Sequence, residues 1–450
     1  MELQKDRLLS FVARKGALVL GATVLILVLR LLKNIIVSRI LEPELRGIWG
    51  LLSVVPTFLV SAGNLGIGSA ITYYTGKKIY SSHYTLGAVF YSTLLFGVGL
   101  GFVASWLIGN NLFFSGETSL IEPYRPLIMA ITPFFWLQIM VSGYLTGASE
   151  VERLTLFRIM ESALPLLLFL IFFYLLSMNG LNAATYSWFW GLVAAVCCAT
   201  LLLPLREAFP FRLSAKACKD FFWFGLRGHL GNFFNLIILR IDILFISHFL
   251  PPAALGYYMI STSIAELLLL LPEALVIPFT GSLFGASEKD SADFSRNVLR
   301  GVFWAMLGIC LVAMLFSYPL LYVMFGSAYL PAWKSTLILI PGMLFLSVFY
   351  ILKVDMNNKG CPGVTSLCVS VGAAINAVMN YFFIPQYGIE ASALASTLCY
   401  MICAVLMLVV HCRQNNTNVF RVFSVTRTEL ALAGSAVCDR ARAMLGGKKG

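Results

Sequence analysis

The sequence predicts an all-α polytopic membrane protein with twelve transmembrane helices, set as two six-helix lobes about a pseudo-twofold axis along the membrane normal and enclosing a central cavity. Three observations carry this: the composition, the length of the apolar runs and an internal repeat. Hydrophobic residues fill 59% of the 450 positions, charged residues only 12%, and the mean hydropathy is +0.85, well above soluble domains. Hydrocarbon offers unpaired backbone groups no partner, so spans are helices or closed barrels. Runs of about 20 apolar residues, rather than alternating tens, select helices.

In chain order the runs fall at 16–40, 46–73, 82–108, 126–147, 156–178, 182–204, 220–249, 256–284, 298–318, 335–354, 363–383 and 391–411. The basic amino terminus has no small-residue cleavage site after a short apolar core, so the first run reads as a retained span. Connections are short, which leaves no extramembrane segment able to bury a core of its own. The organisation is a first lobe over 1–204, a linker over 205–219, a second lobe over 220–411 and a tail over 412–450. The linker, with Arg206, Arg212, Lys216 and Lys219 among aromatics, reads as an interfacial helix on anionic lipid. The tail is too charged to span and reads as a surface helix or a disordered segment.

Lys and Arg set the orientation. Loops on the side of the termini carry Lys77 with Lys78, Arg153 with Arg158, and Lys353 with Lys359, whereas the opposite loops carry only Arg46, Arg125 and Lys334. The positive-inside rule then places both termini in the cytoplasm. The net charge of +11 follows from this asymmetry and needs only anionic headgroups, not nucleic acid, as its partner. The ten cysteines lie in spans or on the cytoplasmic side, where disulfides rarely persist. Neither they nor the four histidines show metal-ligand spacing. The expectation is no disulfide, no metal and no bound cofactor.

The repeat aligns SRILEPELRGIW, residues 38–49, with SHFLPPAALGYY, residues 247–258, so that Ser38, Leu41, Pro43 and Gly47 match Ser247, Leu250, Pro252 and Gly256 at an offset of 209. At an offset of 208, Pro133 matches Pro341, and GLNAA from Gly180 matches GIEAS from Gly388. An even number of helices per half makes the repeats parallel and their axis normal to the membrane. That symmetry suits a cavity opened alternately to either side.

Polar residues inside the runs mark what the cavity would do. At about 100° per residue, Thr23, Arg30, Lys33 and Asn34 share one face of the first helix, while Arg39 points away near its end and reads as a headgroup anchor. Arg30 lies roughly 20 Å into its span. The seventh helix has its own stripe of His229, Asn232, Arg240 and Ser247, with Arg227, Asn235 and Asp242 off it. A charge at the bilayer centre costs about 3 kcal/mol on insertion scales. Two readings stay open. In one, Arg30, Lys33, Arg227 and Arg240 are neutralised by Glu161, Asp242, Glu266 and Glu273. Alternatively Arg30, Lys33, Asn34, Asn232 and Arg240 form a cationic site for an anionic headgroup such as a pyrophosphate, which Arg engages at two points.

The stretch SRILEPELRGIWGLL resembles the Leu-Gly-Pro-x-x-x-Gly-x-Tyr signature of polysaccharide-type flippases in the multidrug/oligosaccharidyl-lipid/polysaccharide exporter superfamily. NAVMNYFFIPQYGIEASALASTL, residues 376–398, and IDILFISHFLPPAALGYY are similar to that family's later segments. Glu42 and Pro251 depart from it, standing where the family has Gly. The resemblance, to O-antigen and capsule flippases in particular, implies a transporter and not an enzyme. It would carry an undecaprenyl-diphosphate-linked oligosaccharide, such as an O-antigen or related surface-polysaccharide (lipopolysaccharide) repeat, across the bacterial inner membrane to the periplasmic face. Alternating access would use the prolines Pro133 and Pro341. Glu161, Asp242, Glu266 and Glu273 become candidates for proton or Na+ coupling, with the membrane potential as a further drive. Partners would be the lipid-linked glycan, the phospholipid bilayer and other surface-polysaccharide assembly proteins. Two competing readings are a cation-coupled multidrug exporter, which should have an acidic cavity, and a glycan polymerase or ligase, which should have a large basic outer loop. A major-facilitator carrier is disfavoured because GKKIYSSHY lacks that family's Gly-x-x-x-Asp-Arg pattern.

Overall fold

The computed structural model describes residues 2–110, 112, 121–212, 214–275, 288–415 and 417–424. Regular structure there is helical: α1 (Glu2–Ile40), α2 (Pro43–Gly63), α3 (Ile67–Gly76), α4 (Ser82–Gly109), α5 (Arg125–Gly147), α6 (Val151–Leu175), α7 (Gly180–Leu201), α8 (Ala215–Phe249), α9 (Pro252–Leu267), α10 (Glu288–Phe325), α11 (Trp333–Asn358), α12 (Pro362–Gln414) and α13 (Val419–Phe423). Among the described residues ten helices are long and apolar enough to cross a membrane. α9, at 16 residues, falls below that length, and the expected eighth run continues past 275 into residues outside those described.

The expected eleventh and twelfth runs share α12. Its 53 residues would extend about 80 Å if straight, far beyond a bilayer. It folds back instead: Ser392 Oγ donates to Asn380 Oδ1 at 2.7 Å, Asn376 Nδ2 to Ser396 Oγ at 3.3 Å, and Cys403 Sγ reaches Cys368 O at 3.5 Å. These pairs run antiparallel about a turn at Gly388, whose φ of 67° and ψ of −148° suit only glycine. Gly388→Ala is expected to lower stability by about 1–3 kcal/mol, read as a reduced melting midpoint in detergent. The cost is conformational, since an added Cβ would meet nothing closer than Glu390 Oε2 at 3.5 Å.

Three expectations change. The second run is not one helix: α2 and α3 are separated at Asn64–Leu65–Gly66, where Leu65 and Gly66 have φ of 48° and 72°. Among its described residues the linker is not one continuous helix. A four-residue turn, Leu205–Ala208, is followed by extended chain through Pro210, and 215–219 belong to α8. That extended chain packs on α4, with Arg212 N donating to His83 O at 3.1 Å. Arg46, assigned from sequence to an outer loop, is inside α2, because Pro43 at the helix start begins the helix earlier than hydropathy suggested. Beyond 424 the tail lies outside the described residues.

The two halves touch through the very residues that align them. A Cβ on Gly47 would overlap Pro252 O, and one on Gly256 would overlap Pro43 O. Residue i of one half meets residue j of the other and the reverse, the signature of a twofold contact. Around this α2–α9 crossing, Arg39 Nε donates to Met324 O at 3.0 Å and Arg39 also binds Val323 O, at the carboxyl end of α10. Tyr329 Oη donates to Leu41 O at 2.8 Å. Arg39, read from sequence as a headgroup anchor, thus also caps a helix terminus across the lobes. Towards the opposite, cation-rich face, α8 packs along α2 and α3. There His229 Nε2 lies 2.8 Å from Ala62 O, a Cβ on Gly225 would meet Leu65 O at 2.6 Å, and Tyr73 stacks on Phe224 at 4.4 Å. Tyr80, in the connection before α4, donates to Asp220 Oδ2 at 2.5 Å. That bond, with burial, pushes its phenol up to about 12, so it stays a donor across the physiological range.

Candidate functional site

Between these contacts lies a cavity of about 320 Å³ walled by α1, α8, α9 with the segment that follows it, and α11. α1 supplies Leu27, Arg30, Leu31 and Asn34, α8 supplies Leu239 and Arg240, the third wall supplies Ser263, Glu266 and Glu273, and α11 supplies Tyr350. The volume is at the low end of small-molecule sites. It fits a phosphate-sized headgroup rather than a chain of sugars.

Arg240 engages Glu266 at two points, Nη1–Oε1 2.9 Å and Nη2–Oε2 3.4 Å, with both side chains over a third exposed. Arg30 Nε donates to a neutral partner, Ser162 Oγ on α6, at 3.4 Å. Among the described residues no carboxylate lies within 4.0 Å of Arg30, Lys33 or Arg46, and no cation within 4.0 Å of Glu273. The wall therefore holds one two-point ion pair together with Arg30 and Glu273, opposite charges that have no ion-pair partner within 4.0 Å among the described residues.

Of the sequence-derived site residues, Arg30, Asn34, Arg240, Glu266 and Glu273 converge on this cavity. Four do not. Lys33 lies about 60° around α1 from Arg30 and turns to α2, its Nζ 5.9 Å from the Trp49 ring. Asn232 is exposed and roughly 12 Å along α8 from Arg240, too far to share the cavity. Glu161 adjoins Ser162 on α6, with Oε1 buried and without a hydrogen-bond partner in the structure. Asp242, two residues from Arg240, points to the other side of α8, into the core of the second lobe. There Asp242 is 2% exposed, accepts from Tyr258 Oη and from Ile243 N at 2.8 Å, and takes Ser396 Oγ at 3.4 Å. Asn376, Asn380, Ser392 and Ser396 extend this group into one buried polar network of oxygens and amides.

The sequence reading missed Arg46. It is 2% exposed, stacks over Trp49 at 4.6 Å, and donates to Asn34 Oδ1 at 2.7 Å and Ser38 Oγ at 3.0 Å. The available signal was the i, i+4 pair Asn34 and Ser38 on α1 together with Pro43 at a helix start.

Comparison with known proteins places this geometry. The chain is 22% identical over 316 residues to an uncharacterized membrane protein of Methanocaldococcus jannaschii, covering 67% of this chain and 62% of that protein. It is 20% identical over 239 residues to a probable low-salt glycan biosynthesis flippase of Haloferax volcanii, covering 52% of this chain and 50% of that one. The matches thus span between half and about three fifths of these relatives. Among solved structures, the lipid II flippase MurJ in an inward closed conformation superposes with a TM-score of 0.72 at 14% identity, covering 90% of this chain and 89% of that one. An inward-facing multidrug resistance MATE family transporter of the MOP superfamily gives 0.69 at 16% identity, covering 86% and 94%. These two show the fold, which is the one anticipated from the sequence. Residues 36–334 match the model of the family described as "Polysaccharide biosynthesis protein". Fold, cavity and family match agree: the chain is a multi-pass membrane protein that belongs to the polysaccharide biosynthesis protein family.

Proposed function

We propose that the protein flips an undecaprenyl-diphosphate-linked oligosaccharide, such as an O-antigen or related surface-polysaccharide repeat, across the bacterial inner membrane by alternating access, without covalent chemistry. The observation that carries this is the interlobe cavity in which Arg30 donates to a neutral hydroxyl and, among the described residues, has no carboxylate within 4.0 Å, while Arg240 is held by a single displaceable carboxylate. The diphosphate would replace Glu266 on the Arg240 fork and complete the coordination of Arg30. The lipid tail stays in the bilayer, while the sugars need the wider cavity that forms when the lobes part at one face. The test is export in cells lacking their own flippase: surface glycan restored by the wild-type protein supports the proposal, and accumulation of lipid-linked glycan on the cytoplasmic leaflet despite expression sinks it.

Coupling is assigned to the buried Asp242 network, because a carboxylate among hydroxyls and amide oxygens suits a small hard cation such as Na+. Asp242→Asn is expected to remove Na+ stimulation of transport in proteoliposomes while leaving pyrophosphate binding at Arg30 intact. Transport by the wild-type protein that is indifferent to a Na+ gradient would transfer the role to protons or the membrane potential. A second reading, a cation-coupled multidrug exporter, is favoured by Glu273, which lines the cavity with no cation within 4.0 Å among the described residues. Competition between ethidium and pyrophosphate for the purified protein separates the two, since an organic cation would need Glu273 and a diphosphate Arg30.

A further inference from the structure

Arg46 stands at the α2–α9 crossing in surroundings that do not match its charge. Its three hydrogen-bond partners, Asn34 Oδ1, Ser38 Oγ and Met259 Sδ at 3.8 Å, are neutral. Its stacking partner Trp49 is 7% exposed, and the indole Nε1 donor is buried with no acceptor among the described residues. Lys33 adds a second cation over the same ring. Two cations and an orphan N–H donor therefore surround one indole, with no carboxylate within 4.0 Å of either cation among the described residues. A fixed pin between helices would account for Arg46 alone. It would not account for Lys33 beside it, where like charges repel, nor for an indole donor left unmade at the usual desolvation cost.

The cover over this group is partly movable. Asn34 both lines the cavity and accepts from Arg46, so the two spaces share a wall. Met259 belongs to the second half, and parting the lobes at the Gly47–Gly256 crossing withdraws it from the guanidinium. We propose that Lys33, Arg46 and the Trp49 indole N–H form a second anion subsite, about one helical turn nearer the crossing than Arg30, which receives the phosphates of the lipid-linked substrate as the crossing opens. This rests on the lipid-diphosphate reading above. Because the subsite exists only in the opened state, its occupation favours that state, and a phosphate moving from Arg30 to Arg46 is never left without a cation.

The test uses full-length protein in phosphatidylcholine nanodiscs titrated with inorganic pyrophosphate. Wild type, closed at the crossing, should bind one pyrophosphate, and Arg30→Gln should lose it. Gly256→Leu, which wedges the crossing, should bind two, and adding Arg46→Gln should weaken the second by about tenfold or more and leave the first unchanged. Failure of Gly256→Leu to gain a site, or a second site indifferent to Arg46→Gln, overturns the subsite while sparing the cavity. Absence of any pyrophosphate binding in wild type overturns both. Repeating the titration in phosphatidylglycerol nanodiscs separates the sources: loss of only the second site there would give it to bilayer headgroups and overturn its assignment to the substrate. Should Gly256→Leu not fold, export decides: Arg46→Gln should fall about tenfold or more with wild-type pyrophosphate binding to the closed protein, while Arg46→Lys retains part of it. Equal export by Arg46→Gln and wild type also overturns the proposal.

Discussion

Arg240→Ala and Arg30→Ala are each expected to abolish glycan export while leaving the protein in the membrane. The cavity offers a diphosphate these two guanidinium groups directly, and a charge-assisted hydrogen bond is worth about 1.5–3 kcal/mol. Each loss should therefore weaken pyrophosphate binding by about 10- to 150-fold. The two positions differ in a way that can be measured. Arg240 is already paired with Glu266, so Glu266→Gln should tighten pyrophosphate binding by releasing the fork, whereas Glu273→Gln, which removes a carboxylate from the wall shared with Arg30, should tighten it only through the charge, with no hydrogen bond released. Lysine at 240 should recover less than lysine at 30, because only the former gives up a two-point contact seen in the structure. Undiminished export in both alanine variants would remove the diphosphate site from this cavity.

The second large effect is expected at Gly47. A Cβ there would overlap Pro252 O and come within 2.7 Å of Pro252 C. Backbone cannot rotate away as a side-chain tip can, so Gly47→Ala must separate α2 from α9, and overpacking of this kind costs about 1–3 kcal/mol. The expected outcome is a protein shifted toward the state open at the crossing, with export lost though insertion is retained. Gly256→Ala should act in the same way, and the double variant should cost less than the sum of the singles, since one separation relieves both overlaps. Cysteine accessibility near Leu41 and Tyr329, whose hydroxyl-to-carbonyl bond spans the same seam, reads the shift directly. Equal labelling in wild type and variants would count against a closed crossing.

Much of this was legible in the sequence. Hydropathy located the helices because burial in lipid acts on every residue of a span alike. The repeat found the crossing because Pro43, Gly47, Pro252 and Gly256 are constrained by backbone contact, which leaves composition little freedom. What hydropathy could not see was direction about an axis. Asp242 and Arg240 are neighbours in sequence and opposed in space, and Lys33 leaves the face of Arg30 by a fraction of a turn. Arg46 was lost for a different reason: a window average places a cation outside the apolar run, while the helix start set by Pro43 draws it in, where Trp49 and two neutral acceptors hold it. The break between α2 and α3 was hidden as well, because it follows from Gly66 meeting Gly225 of the other half, a contact no local pattern announces.

The α2–α9 crossing also bears on the energy supply of the cell. A passage lined by arginines and open to both faces would conduct ions and discharge the membrane potential, worth about 2.3 kcal/mol per charge at 100 mV. At the crossing glycine meets glycine, with carbonyl oxygens filling the space where side chains would stand, so backbone packs on backbone there and a file of water is expected to be interrupted at that point. The crossing is then expected to act as a seal as well as a joint, and a residue that props it open while the cation-rich face is also parted should reveal itself as a leak, by depolarised cells.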